Sequence, residues 1–568
     1  MTSRRGRLTR SVLAAFALVG GLALAQNAPT PAPVTDEALR NPPDGAWPMI
    51  RRTYSAWSYS PLDEINRENV GDLRLVWSWA MEPGVNESTP IVWDGVVYLA
   101  NPGDVVQALD AATGNLIWEY RRSLPQGAGS GINGTMRGLA LYEDKVILNT
   151  SDAYLVALDA RTGAVVWETQ VADYTKGYHY TSPSVVANGK VFSGIRGCGY
   201  FYADSCFITA HDVESGEELW RTFTIARPGE PGGDTWGDLP FEFRAGGDAW
   251  ITGSFDPELN LLYWSASQAK PWAAPSRGLT VEDAALYTNS TLALNPDTGE
   301  IVWYYQYVPG ESHDLDENFE FILIDLEDHK AGFMMGKHAI LWHLDRETGE
   351  LVRATDLGLQ NLFQTDAEEG FVAWYPERIP EIGEEVEYCP SLAGFKSWRA
   401  MSYSPVTQAF YVPMELTCTT VIFGEFEFVE GGGGEGVDAR IDSHHPDSGG
   451  NLGRLLALGI DGEERWHVDQ RAPFTTATLT TAGGLVFVGD YDRNFRAYDQ
   501  ETGELLWQVR LPTTVNGYPV AFEAGGKQYV AVITGTGGGS WDTSIPRNLA
   551  PELQRPNTGN GLFVFALP

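Results

Sequence analysis

Eight side chains in this sequence are of types that do chemistry, and they interrupt strand-like segments that have no structural need of them. PGESHDLDENFE carries Asp314 and Asp316 two residues apart, and FMMGKHAILW places Lys337 inside an apolar run. Glu87 stands just before a strand in GVNESTPIVW, Arg137 lies in NGTMRGLAL, and Thr150 ends the strand VILNT. Trp250 follows two glycines in AGGDAWITGS, and Asn516 precedes Gly517. Singly, each has a bland reading: an Asp-x-Asp pair in an acidic chain is mostly solvated, and a lysine in an apolar run snorkels to solvent. Together they offer acids, cations, a hydroxyl and an aromatic plate. Residues i and i+2 of an extended segment face the same way, so both aspartates can reach one cation.

The elements that must position these groups are announced by a repeat, Ala-x-Asp-x-x-Thr-Gly-x-x-x-Trp. It reads ALDAATGNLIW at Ala108–Trp118, ALDARTGAVVW at Ala157–Trp167 and AHDVESGEELW at Ala210–Trp220. It returns as ALNPDTGEIVW at Ala293–Trp303 and AYDQETGELLW at Ala497–Trp507, with degraded copies at His343–Arg353 and Ala457–Trp466. Each copy follows an apolar run and reads as strand, turn, strand. Asp bonds nearby amides in such a turn and Gly accepts positive φ. Spacings of roughly 40–50 residues match four-stranded blades, and the expected fold is an all-β, eight-bladed β-propeller. The eighth blade is expected within Pro390–Val421, which has strand-like pieces but no motif. The repeated tryptophans are expected to lock neighbouring blades and to take no part in chemistry. Catalytic groups therefore fall in the interruptions, which propellers converge on one end of their channel.

Residues 1–25 read as an export signal: four arginines in Met1–Arg10, the apolar run Ser11–Ala25, and Ala23-Leu24-Ala25 as a cleavage site. Residues 26–44 are expected to form a Pro-rich, flexible leader, and residues 45–568 one propeller domain. Export places the protein in the periplasm. The formal net charge of −36 argues against nucleic acid and anionic membranes as partners, and no later stretch is long and apolar enough to span a bilayer. The four cysteines favour two disulfides, Cys198–Cys206 and Cys389–Cys418. Their spacing fits neither a zinc cluster nor Cys-x-x-Cys-His haem attachment. Gly431–Gly434 lies in a Gly-rich loop to which no function is assigned.

With these residues in view, the chain resembles the pyrroloquinoline quinone (PQQ)-dependent alcohol dehydrogenases, the methanol and ethanol dehydrogenase family. The repeat is similar to that family's tryptophan-docking motif, and WSYSPLDEINRENVGDLRLVWSW, FDPELNLLYWSASQAKPW and GKHAILWHLDRETGE resemble three further family segments. The resemblance implies roles residue by residue. Glu87, Arg137 and Thr150 match positions that hydrogen-bond the quinone, Trp250 the indole on which it stacks, and Lys337 the basic residue that bonds its oxygens. Asn516 is assigned to the same cofactor set. Asp314 matches the catalytic Asp that takes the alcohol proton while hydride passes to the quinone, and Asp316 the extra Asp of the lanthanide-dependent branch. A tricarboxylate cofactor needs such cationic and hydroxyl donors, and a metal beside it acts as a Lewis acid.

Two departures from the family pattern concern the metal. Its Gly-Ala-Glu aligns with Gly197-Cys198-Gly199, so no acid stands there, and Asp204 in the following loop is the substitute candidate. Its metal-binding Asn aligns with Gln268. Its adjacent-cysteine disulfide is replaced by Gly129–Asn133. The expected ligands are Asp314, Asp316 and Gln268, the ion Ca²⁺ or a lanthanide, the substrate an alcohol, and the electron acceptor a separate carrier such as a cytochrome c. The competing expectation is a non-catalytic propeller scaffold or a degenerate quinoprotein, which needs the blades but no lined channel.

Overall fold

A computed structural model describes residues 30–129, 134–202, 205–535, 541 and 544–568. The chain is an all-β propeller. In a representative sheet, Ile91–Trp93, Val96–Asn101, Val105–Asp110 and Leu116–Arg121 pair antiparallel in chain order. The first strand is wholly buried, whereas the fourth alternates between exposed and covered residues. The innermost strand thus lines the axis and the outermost meets solvent, as their sequences (IVW against LIWEYR) dictate.

The repeat explains how neighbouring sheets lock. In each complete copy the motif Ala pairs across the last two strands with the motif Trp, as in Ala108↔Trp118, Ala210↔Trp220 and Ala497↔Trp507. A register shift beside that pair accommodates the large ring opposite a small residue. The indole then lies on the turn glycine of the next copy. A Cβ on Gly163 would sit 2.5 Å from the Trp118 ring, and one on Gly299 2.6 Å from Trp220. Both glycines have φ above +70°, so the position requires glycine twice over. Indole N–H groups complete the lock: Trp118 donates to Ala160 O at 2.9 Å and Trp220 to Pro296 O at 3.0 Å. The motif Asp folds the turn, Asp110 Oδ1 accepting from Thr113 N at 2.8 Å and Thr113 Oγ1 at 2.7 Å. Where the motif degrades, Arg353 replaces Trp and still donates, to Asp461 O at 2.7 Å.

One expectation is corrected. Pro390–Val421 supplies no blade of its own. Its strand Ala409–Glu415 joins Ser402–Ser404, Gly453–Gly459 and Glu464–Gln470, the sheet that holds the degraded copy. Its strand Thr417–Phe423 enters an inserted three-stranded sheet with Glu385–Tyr388 and Val437–His444. The sheet without a motif lies elsewhere. Arg74–Ala80 from early in the chain pairs with Gly561–Ala566, which continues into Lys527–Thr534 and Val515–Ala524. The pattern is invisible locally because its strands are nearly 500 residues apart. This pairing joins the two ends of the chain.

Both expected disulfides form, with Cα separations of 5.4 Å for Cys198–Cys206 and 4.3 Å for Cys389–Cys418. Among the described residues no helix is long and apolar enough to cross a membrane. The signal segment and residues 26–29 of the leader lie outside the described residues. The rest of the leader is not flexible as expected but packed, with Val34 bridged to Glu143, a short helix over Asp36–Arg40, and Val34 and Leu39 buried.

Candidate active site

Antiparallel connectivity decides where the interruptions meet. The connection into each first strand and the turn between second and third strands open on the same end of a sheet. Glu87, Arg137, Trp250 and Asp314 stand in connections of the first kind, before Ile91–Trp93, Ala140–Tyr142, Ser254–Asp256 and Ile322–Asp325. Gln268 follows Leu261–Ala266, and Lys337 follows Lys330–Met335, in turns of the second kind. All six therefore share one end, opposite the docking turns.

The segment carrying Asp314 and Asp316 is held from both sides. Asn289 Nδ2 donates to Leu315 O at 3.1 Å, and Glu317 N donates to Asn289 Oδ1 at 2.9 Å. Glu317 accepts from His338 N at 3.0 Å, His338 Nδ1 at 2.7 Å and Trp342 Nε1 at 3.0 Å. Asp314 has φ +65°, a left-handed conformation uncommon outside glycine. Such strain persists only where the surroundings over-determine it, and here they do.

A cavity of about 270 Å³ opens beside this segment. Lys337 Nζ donates to Asp314 O at 2.6 Å and lies 3.0 Å from Asp316 Oδ2 and 3.4 Å from Asp314 Oδ2. Gln268 Nε2 donates to Asp314 Oδ1. Burial raises the Asp314 carboxyl well above the ordinary range; Lys337 opposes this, and Asp316 and Glu435 add to it. Burial pulls Lys337 down, but Asp314 and Asp316 outweigh it and leave the ammonium above its usual value. Among the described residues two buried acceptors on this wall have no hydrogen-bond donor, Asp316 Oδ1 and Gln268 Oε1.

The opposite wall is aromatic and cationic. Trp250 has its carbonyl fixed by Ser182 Oγ at 2.6 Å and its ring edge-on to Phe319, centroids 5.7 Å apart. The Arg137 guanidinium lies 5.0 Å from the Trp250 ring centre and pairs with Glu87 at 2.7 Å, both residues buried. Glu87 therefore acts behind Arg137. The structure brings Arg137, Trp250, Gln268, Asp314, Asp316 and Lys337 onto one cavity. It does not bring Thr150 or Asn516 to the wall. Thr150 Oγ1 closes a local turn with Asp152 Oδ1 at 2.5 Å and accepts from Tyr154 N at 2.9 Å. Asn516 Nδ2 donates to Asn86 O at 2.8 Å, bracing the segment that carries Glu87. Asp204 lies outside the described residues.

Known proteins share this arrangement of sheets. The family model for the PQQ glucose/ethanol/alcohol dehydrogenase β-propeller domain matches residues 47–356 and 451–530. The chain belongs to that family. Quinohemoprotein alcohol dehydrogenase ADH-IIG of Pseudomonas putida is 32% identical, covering 93% of this chain and 77% of its own. Quinoprotein alcohol dehydrogenase PedH of Pseudomonas putida is 31% identical over 90% of this chain and 89% of its own. Among solved structures, a europium-containing methanol dehydrogenase superposes with a TM-score of 0.86 at 28% identity, covering 94% of this chain and 100% of that chain.

Within this PQQ family fold, sequence reasoning missed four charged groups on the cavity: Arg196, Asp248, Lys270 and Glu435. Lys270 pairs with Asp248 at 2.8 Å, beside Gly199, where a Cβ would meet Lys270 Cδ at 3.2 Å. Burial pushes Asp248 up, but Lys270, Arg196 and the Gly197 N–H outweigh it and bring it down to about 2. A signal existed: GGDAW and SQAKPW each carry a charge beside a residue already singled out. Glu435 ends the Gly-rich loop to which no function was assigned; Gly434 N donates to Gly199 O at 2.9 Å and Trp272 N to Glu435 O at 3.0 Å, docking the loop across the mouth. That contact spans more than 160 residues and leaves no local trace.

Proposed function

We propose that this chain is a PQQ-dependent dehydrogenase that oxidises an alcohol to an aldehyde or ketone, with Asp314 as the base. The observation that carries the reading is the meeting of Asp314, Asp316, Lys337 and the Trp250 plate on one cavity, in a chain of this family. When bound, PQQ would supply the two-electron acceptor and a metal ion the Lewis acid beside it.

The chain's own residues do the rest. Trp250 presents a flat face for a planar ring. Arg137, neutralised from behind by Glu87, offers a rigid fork to a carboxylate. Lys337 fixes the Asp314 main chain and balances both aspartates. Asp314 Oδ2, not taken by Gln268, is the atom to receive the hydroxyl proton. Asp316 Oδ1 and Gln268 Oε1, the buried acceptors without donors, fit an oxygen-ligated cation that Asp314 would share. Ca²⁺ and lanthanide ions are both hard enough for such a set.

The test is to titrate PQQ into the apo-protein with Ca²⁺ or La³⁺ and pass it through gel filtration. Quinone absorbance that travels with the protein, and dye reduction on adding alcohol, are expected. No retained quinone with either metal would overturn the proposal. We further read the eight sheets of four or five strands as eight blades, and residues 1–25 as a signal cleaved near Ala25 that delivers the protein to the periplasm. Two disulfides suit that compartment. With all four cysteines so paired, c-type haem attachment has no thiols, and a separate carrier such as a cytochrome c would take the electrons.

A further inference from the structure

Four cationic side chains line the cavity, and three of them already hold an ion pair within the chain. Arg137 pairs with Glu87 at 2.7 Å, Lys270 with Asp248 at 2.8 Å and Lys337 with Asp316 at 3.0 Å. Arg196 is the fourth. Among the described residues its guanidinium makes no ion pair and no side-chain hydrogen bond. The carboxylate best placed to serve it, Asp248, is taken: Oδ2 by Lys270, and Oδ1 by the N–H groups of Gly197 at 2.7 Å and Cys198 at 3.2 Å.

Its position is built. The Arg196 main chain exchanges both hydrogen bonds with His179, at 3.0 and 3.1 Å. The guanidinium carbon stands 5.9 Å from the Trp250 ring centre, while that of Arg137 stands at 5.0 Å from the same ring. Burial is the largest influence on Arg196 and holds it below the usual arginine value; Asp248 opposes this and Arg137 adds to it. Arg196 is only partly exposed, and a partly desolvated cation without an acceptor carries a cost. Among the described residues no side-chain acceptor bonds it.

We propose that Arg196 is the free carboxylate-recognition residue of this cavity, presenting its planar fork to an anionic group of whatever lies against Trp250. The carboxylate has two sources, the quinone cofactor and an acid group on the alcohol substrate, and the inference rests on the quinoprotein reading above. Either source makes Arg196 a determinant that the residues carried over from the family do not include.

The experiment uses the full-length exported protein with Ca²⁺, as wild type, R196Q and R196K. In one arm PQQ is titrated and followed by quenching of tryptophan fluorescence, which needs no turnover. In the other, lactate (as substrate or competitive inhibitor) is compared with 1,2-propanediol, which has CH₂OH in place of the carboxylate. If the cofactor is the source, R196Q weakens PQQ binding by about 10- to 100-fold, the range for a charge-assisted hydrogen bond. If the substrate is the source, PQQ binding holds and only the lactate constant rises by that factor. R196K, which keeps the charge without the fork, recovers part of either loss. Equal PQQ affinity together with unchanged lactate handling in folded R196Q overturns the proposal. A wild type that binds no PQQ overturns the quinoprotein reading instead.

Discussion

At one end of the sheets, the turns of the complete copies, between third and fourth strands, carry the same few residues, Asp or Asn, Thr or Ser, Gly, and a Trp from the neighbouring sheet. At the other end, the connections share no pattern and gather Arg137, Arg196, Lys270, Lys337, Asp248, Asp314 and Asp316. At the docking end the indole N–H groups of Trp118, Trp167, Trp220 and Trp466 each meet a carbonyl, whereas those of Trp77 and Trp303 meet no acceptor among the described residues. The site end holds buried charge and leaves the acceptors of Asp316 and Gln268 unmatched. Packing of indole on glycine gives stability, and buried charge with unmatched acceptors leaves room for a ligand. The two ends therefore answer to different measurements.

Asp314→Asn sharpens the contrast most. It should lower dye-linked alcohol oxidation about a thousandfold, as for loss of a general base, while PQQ retention and the unfolding midpoint stay near wild type. A parallel fall in stability would mean that the site end also holds the disc together. Next in size is Trp220→Ala, which empties the lock over Gly299. It should cost about 3 kcal/mol in denaturant unfolding and leave the activity per folded molecule unchanged.

The smallest effect is on acid stability. Burial, reinforced by Arg196, lowers His179 from 6.5 to about 3. Between those values the unfolded chain binds a proton that the folded chain refuses, so stability falls as pH drops from 6.5 towards 3. Asp248, held at about 2, adds a loss as pH falls from 3.8 towards 2. Unfolding of His179→Gln across pH 7 to 4 should show a shallower decline, by on the order of 2 kcal/mol. An unchanged slope would remove His179 from the account.

Much of the site was legible because its residues stood out against a repeat. Asp314, Asp316, Lys337, Arg137 and Trp250 are charged or bulky where the strand pattern asks for neither. Thr150 and Asn516 stood out equally, yet one closes its own turn and the other braces Asn86; a polar residue near a channel is satisfied locally as readily as by a ligand. Arg196 and Lys270 were missed because their neighbours, glycines and a proline, read as loop.

The sequence alone determined the all-β propeller, both cysteine pairs and the docking role of the tryptophans, since each depends on spacing or on neighbours close along the chain. Only the tertiary structure decided which strands complete the motif-less sheet, which charges meet across the cavity, and that Arg196 has no ion-pair partner among the described residues. Those facts depend on contacts between distant segments. Pairing and desolvation are properties of the assembled end of the disc, and no single segment carries them.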